Sequence, residues 1–392
     1  MKRVGALLLG LSGLVLLTGH LPLTAHGQGC VAIRHFSPVS GAGPGAAFMN
    51  RGDVAVGASY RYFKSFRHFR GRHEEPDRIA NNTEVVNYAH ALDLNVLYAL
   101  SRRTYATLTL PFVTNARSSL YEHGRTERHN SFSRGLADAR VGVGRWLLDP
   151  SRHHHANVAL GLGLKLPTGS YHATDLFYNV GVDGHPEVRP VDQSIQPGDG
   201  GFGFTVDFQV FQQIADRFSW YGNGFYLFNP RETNGVRTFR ETLSAQLSNE
   251  AIMSVPDQFA VRLGATYALP AEGASVSLGV RYEGVPVEDL LGGSQGFRRP
   301  GTVFSVEPGL SYALRNVSLN VSVPVALSRN RPQSVTDLEM EHLTGTPRHG
   351  DAAFADYLIN VGLTYRIARR APARTPALFD TEHRIEPGPD GD

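Results

Sequence analysis

The chain has 392 residues, 41% of them hydrophobic and 19% charged, with Lys+Arg 38 against Asp+Glu 36 and a formal net charge of +2. So even a balance creates no global field and argues against nucleic acid as a partner. The one cysteine, Cys30, excludes an internal disulfide and a cysteine metal cluster, and no stretch beyond the N-terminal segment approaches the roughly 18–20 apolar residues that a membrane helix needs.

Residues 1–27 read as an export signal. Lys2 and Arg3 are basic, Ala6 to Leu17 are apolar, and Ala25-His26-Gly27 offers small residues for cleavage before Gln28. The mature chain is therefore expected to leave the cytoplasm. Cys30 is a candidate lipid anchor, although Gly27-Gln28-Gly29 lacks the branched apolar residue that such a site usually carries. Residues 28–52 then form a periplasmic N-terminal segment that is rich in Gly, Pro and Ala between Ser37 and Ala47.

From Val54 to Ile367 the side chains alternate between apolar and small or polar. Val54, Val56, Ala58, Tyr60 and Tyr62 stand against Asp53, Ala55, Gly57, Ser59 and Arg61, so one face of the strand is oily and the other wet. This period predicts strands at 53–62, 88–100, 104–113, 138–148, 157–166, 202–212, 217–228, 258–269, 274–283, 302–312, 316–326 and 356–367. Each is long enough to cross a bilayer core when tilted. The expected fold is all-β, a transmembrane antiparallel up-and-down β-barrel of about twelve strands over 53–367.

The connections alternate in length. Ser101-Arg102-Arg103, Ile214-Ala215-Asp216, Pro270 to Gly273 and Leu314-Arg315 are tight, whereas 63–87, 114–137, 167–201, 229–257, 284–301 and 327–355 are long. Short turns on one side and long loops on the other mark outer-membrane barrels, and an even strand count puts both termini on the short-turn side. Residues 368–392, rich in Pro and charge, read as a disordered periplasmic tail.

Alternation alone does not say which face meets lipid, since a soluble sandwich has the same period. The aromatic residues decide. On the apolar face Tyr60, Tyr62, Tyr88, Phe112, Phe202, Tyr226, Phe259, Tyr282, Phe304 and Tyr357 gather at the long-loop ends, and Tyr98, Phe218, Trp220, Tyr267, Tyr312 and Tyr365 at the short-turn ends. Aliphatic residues such as Leu92, Leu94, Leu160, Leu162, Val261 and Leu278 separate them, as expected of girdles at two membrane interfaces. The polar exceptions on this face are His90, Gln212 and Arg145, all near strand ends, and Arg145 beside Trp146 is a candidate bulge.

The opposite parity carries both signs of charge. Candidate lumen-lining residues are Arg61, Asp93, Arg140, Lys165, Asp207, Arg262, Arg281, Glu283, Glu307 and Arg366, with Asp53, Asn95, Gln209, Asn320, Asp356 and Asn360 at the same parity. Unpaired burial of so many charges would be prohibitive, so the lumen is expected to be wet, cross-linked by ion pairs, or both. Many inward positions are glycine, among them Gly57, Gly142, Gly144, Gly161, Gly163, Gly264, Gly279 and Gly309. They fit either a narrow channel or room for a plug such as Ser37 to Ala47.

Three motifs bear on chemistry. Gly292-Gly293-Ser294-Gln295-Gly296 fits the G-x-S-x-G pattern, but the strand-to-helix turn that this nucleophile needs is missing from the sequence pattern. His153-His154-His155 is read as a solvated periplasmic turn in preference to a metal site, because adjacent histidines of an extended segment point in opposite directions. Glu74, Glu75 and Asp77, and Glu288-Asp289, lack the spacing of a calcium loop. No cofactor, metal or catalytic residue is expected.

Gly135-Leu136-Ala137-Asp138 opening a strand, Leu164-Lys165-Leu166-Pro167-Thr168-Gly169 closing the next, and Gly296 to Gly301 leading into Val306-Glu307-Pro308-Gly309-Leu310-Ser311-Tyr312 resemble the outer-membrane barrel family named for the meta-pathway of phenol degradation. Ala137 stands where that family tends to have glycine, and the chain runs on past its last strand. The resemblance implies a barrel in the outer membrane of a Gram-negative bacterium that passes small, aromatic or apolar molecules. The expected function is a passive outer-membrane channel, with outer-membrane lipid and small-molecule solutes as partners. The alternatives are a surface-interaction or structural barrel with a sealed lumen and, further off, a lipid-modifying enzyme. The sequence sets no oligomeric state.

Overall fold

The computed structural model describes residues 49–368; the export signal, Cys30, the segment Ser37 to Ala47 and the tail from 369 onward lie outside the described residues. Twelve antiparallel strands close into a barrel. They are β1 (Val54–Arg70), β2 (Val86–Ala99), β3 (Thr104–Ser119), β4 (His129–Leu136 and Arg140–Trp146), β5 (Ala156–Lys165) and β6 (Gly203–Ala215). After these come β7 (Phe218–Phe228), β8 (Gln258–Ala268), β9 (Ala274–Val285), β10 (Gly301–Leu314), β11 (Val317–Ser322 and Val325–Asn330) and β12 (Ala352–Ile367). Closure is made by β12 on β1, from Val54↔Ile367 to Phe69↔Ala352. None of the described helices is long and apolar enough to cross a membrane.

The register places the oily parity outside. Leu162 is 67% exposed and Leu278 61%, in a band that also exposes Leu92, Leu94, Leu160 and Val261. An apolar ring of that extent is untenable in water and is what acyl chains cover. The aromatic residues flank it: Tyr88, Phe112, Phe202, Tyr282 and Tyr357 are exposed on the long-loop side, and Tyr98, Phe218, Tyr267 and Tyr365 on the other. Arg145 also faces out, and no bulge accompanies it: Thr104↔Arg145 and Arg145↔Leu160 are in continuous register, and its guanidinium donates to Thr104 Oγ1 at 3.2 Å.

Several strands outrun their expected ends. β1 extends to Arg70, β3 to Ser119, β4 begins at His129 and β12 at Ala352, so parts of 63–87, 114–137 and 327–355 expected as loop are wall. Above the hydrocarbon core the outward face meets head groups and water in place of acyl chains, and the apolar-out rhythm that marks the lower strand is lost in stretches such as Ser65-Phe66-Arg67-His68-Phe69. Ala352, Ala353, Phe354 and Ala355 are all buried, the signature of a strand end covered on both faces. The remaining long connections carry structure of their own, including the hairpin Thr174–Phe177 with Glu187–Pro190 and the helix Val335–Thr344, whose Ser334 and Asp337 form a capping box.

Two strands are interrupted, and each interruption has a local cause. In β4 the break at Ala137–Ala139 lies opposite Pro111, and the Ala137 amide donates to the Pro111 carbonyl at 2.7 Å. Thr168 mends the other side: its hydroxyl accepts from the Ala139 amide at 2.8 Å and donates to the Ala137 carbonyl at 2.9 Å. Asp138 accepts from the Gly169 amide at 3.0 Å and the Asp199 amide at 3.1 Å. A Cβ on Gly169 would meet Ala137 and Gly198 backbone at 2.8–2.9 Å, so only glycine fits. β11 breaks at Val323-Pro324, beside Pro308 of β10, where neither proline has an amide to give the ladder.

Candidate functional site

The site with the means to act on a solute is the lumen, and it divides into three levels. At the long-loop mouth the connection between β5 and β6 folds inward. Ile195, Gln196 and Asp199 are buried, and the Ile195 carbonyl accepts from Asn115 Nδ2 at 3.1 Å and from the Ser133 hydroxyl. Asp192 holds this segment: its carboxylate takes Arg299 at 2.7 Å and Arg117 at 3.4 Å, while Arg117 also grips Glu122 at 2.6 Å. Burial alone would push the Asp192 carboxyl up, but Arg117 and Arg299 outweigh it and hold it well below the usual carboxylate range.

Beneath the mouth Lys165 reaches Asp199 Oδ2 at 2.5 Å, with Asp138 Oδ2 at 3.8 Å. The cation from the barrel wall is therefore clamped by one carboxylate of the infolded segment and one of the β4 break. A cavity of about 730 Å³ opens here, lined by Arg61, Asp93, Arg140, Lys165 and Asp199 among others. Arg61 lies within electrostatic reach of Asp93, Arg140, Arg281 and Glu283. On the far wall Arg281 pairs with Glu283 at 2.5 Å, and Arg262 Nε donates to Glu307 at 2.9 Å.

The third level runs toward the short turns. Gly142 pairs with Gly163 and Gly144 with Gly161, giving a glycine floor between Thr107 on β3 and Thr205 on β6. This groove, about 500 Å³ including space open to solvent, includes Asp207 and Gln209 and shares Arg140 with the cavity above. Asp207 Oδ2 accepts from Thr205 Oγ1 at 3.2 Å. At its lower end Tyr105, Trp146, Ala159 and Phe211 form a buried cluster, with the Trp146 and Phe211 rings edge to face at 5.8 Å. Arg366 and Asp53 close the opposite wall at 2.7 Å.

The inward glycines make room for rings as well as for solvent. A Cβ on Gly144 would lie 2.2 Å from the Tyr105 ring, and one on Gly264 would lie 2.6 Å from the Tyr221 hydroxyl. Each tyrosine thus lies flat on a wall that any larger residue would fill.

The sequence reading did not identify Asp138, Asp199 and the cluster of Tyr105, Trp146 and Phe211. In the sequence Asp138 stands out only as part of a strand-opening phrase, and Asp199 lies in a stretch whose length predicts an external loop. Odd parity at Tyr105 and Phe211 was the available signal for inward aromatics. The remaining motifs sit away from the lumen. Ser294 accepts the Asp289 amide at 2.9 Å in a turn flanked by Gly292 and Gly296 at positive φ. His153-His154-His155 lies in the β4–β5 turn, and among the described residues no group of three His, Cys, Asp or Glu could hold a metal ion. Asp356 sits high in the wall, 3.4 Å from Arg67.

A scan against protein-family models and a search of curated proteins find no match. Among solved structures the chain is similar to an outer membrane channel from Pseudomonas putida F1, with TM-score 0.50 and 11% identity over 81% of this chain and 97% of that one. It is also similar, with TM-score 0.38 and 8% identity over 84% of this chain and 95% of that one, to the toluene transporter TodX of Pseudomonas putida. At such identities the likeness to the first establishes the fold alone: a closed antiparallel β-barrel of the kind seen in that outer membrane channel.

Proposed function

We propose that the barrel is a passive channel for small solutes, and that it admits molecules carrying an apolar or aromatic part. The observation that carries this reading is a pair of lumenal cavities that both border Arg140, one beneath the infolded segment and one reaching the ring cluster at the short-turn end. A wall of paired charges above and aromatic faces below favours solutes with a polar handle on an oily body. Arg61, Asp93, Arg140, Lys165 and Asp207 would meet the solute along the path, while Arg262 with Glu307, Arg281 with Glu283 and Arg366 with Asp53 would set the field across it. The phrases that carry the family resemblance, ending in Asp138 and Thr168-Gly169, brace one another at the β4 break. No catalytic role is assigned: His90 is engaged by the Tyr60 hydroxyl at 2.7 Å and Ser294 by a turn amide.

A second reading, a scaffold with a sealed lumen, draws on the same infolded segment and its Asp192 anchor. Swelling of proteoliposomes separates the two. A channel admits small aromatic alcohols and swells, and Lys165→Gln, which removes the cation that bridges Asp138 and Asp199, shifts ion selectivity in planar bilayers toward cations. A protein that neither swells vesicles nor conducts, with or without that substitution, is the scaffold.

A further inference from the structure

The outer half of the lipid face is not uniform around the barrel. On β1–β4 the register sets two adjacent rows, Lys64, Tyr88, Ala116 and Phe132, and next to it Tyr62, His90, Thr114 and Arg134. Lys64 and Arg134 are exposed, and among the described residues neither forms a salt bridge. The Lys64 ammonium stands 4.8 Å from the Phe66 ring centre and 5.6 Å from that of Tyr88, so its stem is laid along aromatic surface and its head is turned to the interface. His90 is fixed by Tyr60 at 2.7 Å, with the Tyr62 ring 4.9 Å away. At this height β7–β10 present Tyr226, Phe259, Tyr282 and Phe304. The cations are confined to one sector.

A cation on the lipid face is costly at mid-bilayer and tolerated at the interface, and an anionic head group converts tolerance into attraction. Rings of Tyr60, Tyr62 and Phe112 mark the boundary between acyl chains and head groups just below. We propose that strands β1–β4 hold a phosphorylated lipid of the outer leaflet, lipid A, with one phosphate at Lys64, the other at Arg134 and the acyl chains on the aliphatic band beneath. Three strand spacings put β1 and β4 roughly 14 Å apart, the scale of a disaccharide with a phosphate at each end. A single anionic head group has no use for two cations so far apart. The site does not depend on whether the lumen conducts.

The test uses the purified full-length protein in detergent, scored by native mass spectrometry with bis-phosphorylated lipid A, with the dephosphorylated molecule and with phosphatidylglycerol. Bis-phosphorylated lipid A is expected to be retained in preference to both others. Lys64→Gln and Arg134→Gln should each weaken retention about fivefold, and the double variant by more than tenfold. An unchanged heat-modifiable band on gels certifies that the variants are folded. Equal retention by the folded double variant, equal retention of dephosphorylated lipid A, or equal retention of phosphatidylglycerol each overturns the proposal.

Discussion

Inside the barrel small and large residues are chosen in pairs. Tyr105 lies on Gly144 and Tyr221 on Gly264 and Gly279, so a side chain at these glycines would drive a ring into the lumen. Gly144→Val is expected to cost about 1–3 kcal/mol, as overpacking of an interior does, and to lower single-channel conductance by pushing Tyr105 across the groove. Urea titration in lipid vesicles and bilayer recording read the two effects. Conductance and stability both at the original level would mean that the Tyr105 ring does not occupy this wall. Lys165 illustrates the other half of the interior chemistry. Inward parity was legible from sequence, but its partners Asp138 and Asp199 were not, because one lies at a strand break and the other in a segment that returns from outside.

The membrane-crossing strands were legible because lipid enforces a strict rhythm: every outward residue from Val54 to Tyr62 or from Leu92 to Tyr98 must be apolar. Where that pressure ends, so does the signal, which is why the upper parts of β1, β3, β4 and β12 read as loop. The external connections follow different physics, that of buried ion pairs and rings, and this makes them sensitive to acid. His123 is buried, stacks on Phe177 at 5.2 Å and accepts the Tyr178 amide at 3.1 Å, and burial followed by neighbouring His129 lowers its pKa to about 4. The unfolded segment takes up that proton near the ordinary histidine value of about 6.5. Stability from this group is therefore complete above about 6.5 and lost as pH falls toward 4. Asp192, with its carboxyl held down, adds a second loss below the ordinary carboxylate value of about 3.9. Hydrogen-exchange protection over 121–136 and 174–199, with rates corrected for the intrinsic pH dependence of exchange, should fall between pH 7.5 and 4.5 while β7–β10 stay protected, and His123→Gln should flatten that change. Protection that is independent of pH, or that falls equally in every strand, would contradict it.

On the scale of the whole molecule, lipid outside and water inside organise everything else: the exposed aliphatic band, the two aromatic girdles, the paired charges of the lumen and the cations of β1–β4. Alternation by itself could not assign the two sides, and the zoning of aromatic residues along the strands did. What sequence could not give was the infolding of the β5–β6 connection, since a loop's path depends on partners such as Arg117 and Arg299 that lie 75 and 107 positions from Asp192 in the chain. The most direct test of this arrangement is reversible unfolding from phospholipid vesicles with an arginine placed on each side of the same wall, at Leu162 and at Gln209. Leu162→Arg faces acyl chains and is expected to cost about 2–4 kcal/mol, whereas Gln209→Arg faces the lumen and should cost under about 1 kcal/mol. Equal costs, or the larger cost at Gln209, would show that the oily face is not the one that meets lipid.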